Sequence, residues 1–408
     1  MYQAIILGFI LIITLYVLKR IREPKLNMPP LVRYKIPIIG HTYSYLYNTE
    51  EFLKQCRKEY GDIFCLYIWG QVRIIVGKEH SQEVLSRDDV FDFSEAFERI
   101  FPGDVMLKTL ERFTNASKVL KEYVLNKMKF YNERMQNSLY SATKKQIGEC
   151  DEPKVIYNIY KLMTKIISTP IANIFVGEEV SQYEEIITTF AEFTSDSAIF
   201  LMIPPILDFI YPGLQNYINR IIIRLGLYNP AVKHQDILIK HLKKQICKRL
   251  QDKEKYALNN MKKLDSFIRE SLRLTGFITG LQHAILKDYT FSNGLQVPEN
   301  YLIDLYFDDI YGDESLQGPN PKSFEPFRHL DANVPASKVT RNYLAFGGGK
   351  HACPGRQLAI NEIKFFMHNA ILKYNFRTES GKIEEKRTEP GYCRGSRTPQ
   401  QKLFSLFT

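Results

Sequence analysis

The chain has 408 residues, of which 45% are hydrophobic and 25% charged, and a formal net charge of +10. That is enough apolar material for one large domain or two ordinary ones around a sizeable core, which excludes a largely disordered chain. Lys and Arg are scattered, with Lys-rich stretches mainly between 233 and 263. No nucleic-acid-reading motif accompanies them, so the charge points to an anionic membrane or an acidic partner rather than DNA or RNA.

The first residues are a different material from the rest. Ala4 to Leu18 is apolar apart from one Thr, and Lys19, Arg20, Arg22 and Lys25 follow at once. With the three residues before it the run reaches about 18 positions, near the minimum for a membrane-spanning helix. No charge precedes it and no small-residue cleavage site follows, so it reads as an uncleaved anchor rather than a signal peptide. The charges on its C-terminal side leave the remainder in the cytosol. Residues 1–20 are therefore assigned to an N-terminal membrane anchor and 21–40 to a basic, proline-containing hinge.

Asn27-Met-Pro29-Pro30 cannot continue a helix and predicts a stiff extended connector. Glu50 to Tyr60 has helical spacing. Ile63 to Trp69 and Val72 to Val76 read as two strands joined by a two-residue turn at Gly70-Gln71. From about 80 to 265 the pattern is mainly helical. Ile203 to Pro212 interrupts it with an apolar, proline-bounded loop, either a buried turn or a segment dipping toward a membrane near a substrate entrance. Asp236 to Leu250 is a basic amphipathic helix. Tyr289 to Gly294 reads as a strand ending in a turn, and Val297-Pro298 begins another extended piece.

Six cysteines, at positions 56, 65, 150, 247, 353 and 393, form no C-x-x-C pair, so neither a disulfide framework nor a zinc ribbon is indicated. Cys353 alone has a suggestive setting, Phe346-Gly347-Gly348-Gly349-Lys350-His351-Ala352-Cys353-Pro354-Gly355, followed by helix periodicity over Leu358–Leu372. Three glycines predict a tight bend or a close approach to a flat object. Backbone N–H groups at the start of the following helix can favour a thiolate. One cysteine cannot complete a structural zinc site, whereas heme iron needs a single axial ligand from this side.

The spacing F-x-x-G-x-[HR]-x-C-x-G, with Ala six residues beyond the Cys, resembles the heme-binding signature of the cytochrome P450 family. Phe346, Gly349, His351, Cys353, Gly355 and Ala359 meet its fixed positions. The resemblance implies heme b (iron protoporphyrin IX) with Cys353 as its axial ligand and the metal-binding residue, Phe346 near the sulfur and His351 at a heme propionate. Upstream, Glu270 and Arg273 lie three apart on a helix and can pair, and they resemble the family's E-x-x-R motif. Asn320 to His329 resembles its F-x-P-x-R segment, whose Arg328 would join Glu270 and Arg273 in a buried, structural ionic cluster.

The implied fold is mainly α with small β-sheets: a cytochrome P450 heme domain over 41–408, preceded by the transmembrane helix and incomplete in the middle. Family members usually carry [AG]-G-x-[DE]-T-[TS] on a long central helix, whose acid and alcohol relay protons during oxygen activation. The nearest string here, Ala191-Glu192-Phe193-Thr194-Ser195, lacks the glycine and lies too far upstream. Only Gln251–Lys263 separates the basic helix from the one carrying Glu270, with Lys255-Tyr256 reading as a junction, so no catalytic residue is identified on the distal side. The only tryptophan, Trp69, is assigned to a strand.

The resemblance implies a monooxygenase inserting one atom of dioxygen into an apolar small-molecule substrate such as a lipid or sterol. NADPH-cytochrome reductase would supply electrons, at the endoplasmic reticulum membrane with the catalytic domain cytosolic. The alternatives are a catalytically impaired remnant lacking the oxygen-activating helix, and a heme-thiolate isomerase or peroxygenase.

Overall fold

A computed structural model describes residues 26–107, 120, 122, 124–148, 154–242, 262–275, 278–332, 334–378 and 403–406. The expected anchor, the end of the basic helix beyond 242, all but the last two residues of Gln251–Lys263, and Cys150, Cys247 and Cys393 lie outside the described residues.

Elements follow in chain order. Helices α1 (Thr42–Tyr47) and α2 (Thr49–Tyr60) precede strands β1 (Ile63–Ile68) and β2 (Gln71–Val76). Then come α3 (Ser81–Ser86), β3 (Phe91–Asp92), α4 (Phe93–Ile100) and α5 (Gly103–Leu107). The helical middle comprises α6 (Met128–Ile147), α7 (Ile159–Val176), α8 (Glu184–Ser197), α9 (Ile199–Met202), α10 (Leu214–Arg224) and α11 (Pro230–Leu242), with β4 (Lys154–Ile156) between α6 and α7. Helix α12 (Lys262–Thr275) leads to β5 (Thr279–Ile285), β6 (Tyr289–Thr290), β7 (Gln296–Val297) and β8 (Leu302–Tyr306). Finally α13 (Phe307–Tyr311), α14 (Glu314–Gln317) and the long α15 (Arg356–Lys373) are followed by β9 (Asn375–Thr378) and β10 (Leu403–Leu406). The mainly α fold with small sheets is as expected, although β3 and β4 break the stretch read as helical.

The main sheet has the order β1-β2-β8-β5-β3, with β2 and β8 parallel and the other pairs antiparallel. Its central strands carry apolar residues on both faces because both faces are covered: every residue of β8, Asp304 included, is buried. One face packs Cys65, Ile74, Ile303 and Leu305 against Leu85 of α3. The other packs Phe64, Leu66, Ile75 and Tyr306 against Leu53 of α2. The expected connector runs along the free edge of β1: Val32 N–H donates to the Cys65 carbonyl at 3.0 Å, and Cys65 N–H donates to the Pro30 carbonyl at 2.8 Å. A proline segment suits that place, since it caps a sheet edge that would otherwise expose unpaired groups.

The hairpin turn falls one residue earlier than the sequence predicts. Ile68 pairs with Gln71, which makes Trp69-Gly70 the turn. Both residues have positive φ, 50° and 72°, the combination that matches the twist of a two-residue hairpin. Trp69, expected in a strand, pays this cost because its N–H donates to Thr42 Oγ1 at 3.0 Å and its ring lies 5.4 Å from that of Phe209.

The apolar loop 203–212 contains a 3-10 turn, Ile206–Phe209. It is not a buried turn: Ile206, Ile210 and Tyr211 are 63%, 77% and 69% exposed. It is nevertheless fixed to the hairpin, because a Cβ on Gly70 would lie 2.3 Å from the Asp208 carbonyl oxygen. By length and composition alone the run Glu184–Phe209 could cross a membrane, yet α8 within it packs on α7 and α11 as part of the fold.

Gly70→Ala combines positive φ with a backbone collision. It should destabilise the protein by about 2 kcal/mol or more, read as a lower urea midpoint, whereas Gly294→Ala, with positive φ and open space around it, should cost less.

Candidate functional site

The segment around Cys353 is a turn, not a strand or helix, until α15 starts. Gly347 and Gly349 have φ of 81° and 57°, a conformation that L side chains avoid. Residues 349–351 form a 3-10 turn. Cys353 N–H donates to the Phe346 carbonyl at 2.7 Å and closes the loop. Gly355 then caps α15 without a side-chain hydrogen bond, and the Cys353 carbonyl accepts from Arg356 Nη1 at 2.9 Å. Cys353 is exposed, whereas Cys56 and Cys65 are buried and their thiols are pushed up to about 12 by burial. Only Cys353 of these three presents sulfur for ligation.

The glycines answer to protein packing as well. A Cβ on Gly348 would lie 2.9 Å from both terminal methyls of Leu85, and one on Gly349 would lie 2.2 Å from the Leu85 carbonyl oxygen. The loop is thus pressed against α3. Phe346 is half-buried and packs with Ile268 of α12 and Ile360 of α15. Ala359 continues α15, its N–H bonded to the Gly355 carbonyl at 3.0 Å.

The expected ionic cluster is present. Arg273 grips Glu270 with two bonds, Nε to Oε2 at 2.8 Å and Nη2 to Oε1 at 2.9 Å. Arg328 Nε donates to Glu270 Oε1 at 3.1 Å and Glu325 N–H reaches the same oxygen at 3.2 Å. Glu270 and Arg273 are 0% and 1% exposed. Burial opposes the carboxylate, but Arg273, His329 and the Glu325 N–H overcome it and hold Glu270 well below the usual carboxylate range. Arg328 spends its remaining donors on the carbonyls of Gln317, Pro319, Asn320 and Ser323. Arg273 Nη1 donates to the Tyr311 carbonyl at 2.9 Å, and the Tyr311 hydroxyl accepts from Leu344 N–H at 3.0 Å. Two hydrogen bonds therefore join the cluster to the start of the cysteine loop.

A histidine not singled out from the sequence completes the site. His283, on β5, is 2% exposed, and its ring lies 6.5 Å from that of His351. Burial, with His351 alongside, pulls His283 down to about 4 against the Leu281 carbonyl and Asp92. His283 Nδ1 and His351 Nε2 are buried without a hydrogen-bond partner, and Asp88 Oδ1 is 3.8 Å from the latter. Two orphaned imidazole nitrogens near an exposed cysteine suit a group with acidic arms and a ligatable metal. The residues fit a heme. In the sequence His283 is one polar residue in a short strand; only the sheet brings it to His351.

A second set of donors, Asp62, Glu79 and His80, could hold a metal ion by proximity. Arg57 already supplies the cation there, with Nη2 3.0 Å from Asp62 and 2.9 Å from Glu79. That set is an ion-pair network.

The sequence pattern of the family described as "Cytochrome P450" matches residues 29–255 and 223–403, two pieces that overlap within 223–255. Cytochrome P450 monooxygenase 71 of Postia placenta is 40% identical over 136 residues, 31% of this chain and 27% of that protein. Cytochrome P450 monooxygenase bsc2 of Alternaria brassicicola is 35% identical over 144 residues, 33% of this chain and 27% of that protein. The chain thus spans about a quarter of the length of the curated relatives it matches. Among solved structures, a retinoic acid-bound cyanobacterial CYP120A1 superposes with a TM-score of 0.61 at 18% identity, covering 94% of this chain and all of that one. That likeness is one of fold.

Two carboxyls give opposite pH responses. Glu270 is lower folded than its unfolded value of about 4.3, so its stabilisation is complete above that value and is lost as pH falls through the folded one. Glu270→Gln should cost about 3–5 kcal/mol at neutral pH, and urea titrations should show a smaller acid-side loss than in wild type. Glu362 of α15 is buried, its Oε1 has no hydrogen-bond partner, and burial pushes it up to about 8. Its contribution is lost as pH rises from the unfolded value toward about 8, so Glu362→Gln should raise the urea midpoint at pH 8 relative to wild type.

Proposed function

Because the chain belongs to the cytochrome P450 family, we propose that it is a heme-thiolate monooxygenase that inserts one atom of dioxygen into an apolar substrate. The observation that carries the reading is the exposed Cys353 in a closed glycine loop, with the orphaned nitrogens of His351 in that loop and of His283 beside His351. Cys353 would hold the heme iron through its thiolate. His351, expected at a propionate, would be joined there by His283. Phe346, Gly349, Gly355 and Ala359 would shape the loop and its entry into α15, and Glu270, Arg273 and Arg328 would hold that support in place. When bound, the heme supplies the redox and oxygen-activating chemistry.

A membrane setting is supported by the apolar run Ala4–Leu18 and by two groups of exposed apolar side chains. Ile36, Ile38 and Tyr43 near the N-terminus, and Ile206, Ile210 and Tyr211 in the 203–212 loop, are all at least half exposed. The two groups sit on either side of the β1–β2 hairpin, since the Tyr34 ring stacks on that of Tyr67, 5.5 Å away, and Phe209 lies against Trp69. Exposed apolar groups of this kind suit contact with lipid. These features support our reading of the protein as one of the endoplasmic reticulum membrane, with the folded domain in the cytosol and NADPH-cytochrome reductase as electron donor.

A second reading, a remnant impaired in oxygen activation, is favoured by the two overlapping pieces of the family match and by the lack of the distal acid–alcohol motif. The string nearest to that motif, Ala191–Ser195, lies in α8.

The reduced protein with carbon monoxide should show the red-shifted Soret band of a thiolate-bound heme, and Cys353→Ala should abolish it. His283→Ala and His351→Ala should each weaken heme retention, about tenfold for one lost charge-assisted hydrogen bond. Oxygen consumption with NADPH and reductase separates the monooxygenase from the remnant. A protein that takes up no heme sinks both the ligation and the reaction.

A further inference from the structure

The main sheet carries a row of polar side chains across an otherwise apolar face. Gln71 and Arg73 of β2 point the same way as Ile75, which pairs with Asp304 of β8. The row starts beneath the 203–212 loop, where Gln71 Nε2 donates to Asp208 Oδ2 at 3.1 Å. It ends on β5, where Gln282 Nε2 donates to Asp304 Oδ1 at 3.0 Å. Leu66, Ile75, Leu302 and Tyr306 on this face are buried.

The middle of the row is incomplete. Asp304 is only 4% exposed, and its Oδ2 has no hydrogen-bond partner. Arg73 Nε is also buried without one. The two side chains approach no closer than 3.9 Å, from Arg73 Nη1 to Asp304 Oδ2, too far for a direct hydrogen bond. Burial pushes the Asp304 carboxyl up, while Arg73 and Gln282 pull it back. One donor and one acceptor are thus left unspent on neighbouring side chains. Leaving either unpaired is costly in an apolar interior, and a hydroxyl, which accepts and donates at once, satisfies both.

We propose that Arg73 and Asp304 form a hydroxyl-binding subsite for an apolar molecule entering beneath the 203–212 loop, its oxygen accepting from Arg73 Nε–H and its O–H donating to Asp304 Oδ2. The proposal rests on the apolar-substrate reading above and adds to it that the substrate carries an alcohol. It also gives the row a direction, from the exposed apolar loop inward along Gln71 and Arg73 to Asp304.

The sole tryptophan, Trp69, lies against this loop and reports on the face. The full chain is titrated with octan-1-ol and with its isomer 1-methoxyheptane, which accepts but cannot donate. Trp69 fluorescence gives half-saturation, and equilibrium dialysis checks the amount bound. The alcohol should bind about tenfold more tightly than the ether, as expected for one hydrogen bond to a charged group. Asp304→Val should bring the alcohol to the ether's affinity and leave the ether unchanged, while Arg73→Met should weaken both. Arg73 is the more exposed of the two, so its variant decides the matter if Asp304→Val fails to fold. Equal affinities in the wild type, or a preference that survives both substitutions, overturn the subsite and leave the apolar-substrate reading standing: the pair would then bridge through water only. Dialysis showing that neither compound binds overturns both.

Discussion

A carboxylate with no exposure to water must be neutralised within the protein, and Glu270 is such a carboxylate. Two guanidiniums, with His329 and a backbone N–H, do this, and both guanidiniums are committed elsewhere as well. Arg273 reaches α13 through the Tyr311 carbonyl, and Tyr311 in turn holds Leu344. Arg328 gathers four carbonyls of the segment 317–323. The charge therefore gathers three distant stretches of chain: α12, the end of the main sheet, and the approach to Cys353. Replacing the whole cluster with apolar residues would be thermodynamically mild, but removing one partner strands the others. The ionic cluster fixes where the cysteine loop is held.

On the other side of the loop the constraint is steric. Leu85 leaves no room for a Cβ at Gly348 or Gly349, so α3 and the cysteine loop share a surface of backbone against side chain. The sulfur is held between two kinds of support, ionic through α13 and close-packed through α3. Neither uses Cys353 itself, which stays exposed.

Much of this was legible in the sequence where the code is local. The cysteine loop reads directly because its glycines, histidine and cysteine are close in the chain. Glu270 and Arg273 read because residues three apart on a helix share a face. The hairpin was legible except for its turn: Gly70-Gln71 satisfies local preference, but Thr42 and Phe209 stabilise Trp69 at positive φ and move the turn by one. His283 was not legible, because nothing within β5 announces that the strand order will lay it beside His351. The 203–212 loop was ambiguous for a similar reason. Apolar residues beside prolines suit a buried turn or an exposed patch equally, and only the collision at Gly70 shows which side faces the protein.

The contact between Leu85 and the glycines bears on how such a signature persists. A substitution at Gly349 would be selected against for what it does to packing, whether or not the lineage still used a heme. The glycine part of the motif is thus inherited as a folding constraint, and it can outlast the reaction for which the motif is usually read. His283 and His351 bear no such obligation, since their unpaired nitrogens cost the apoprotein stability. Drift at those two positions, with the glycines intact, is what abandonment of the cofactor would look like among close descendants of this chain.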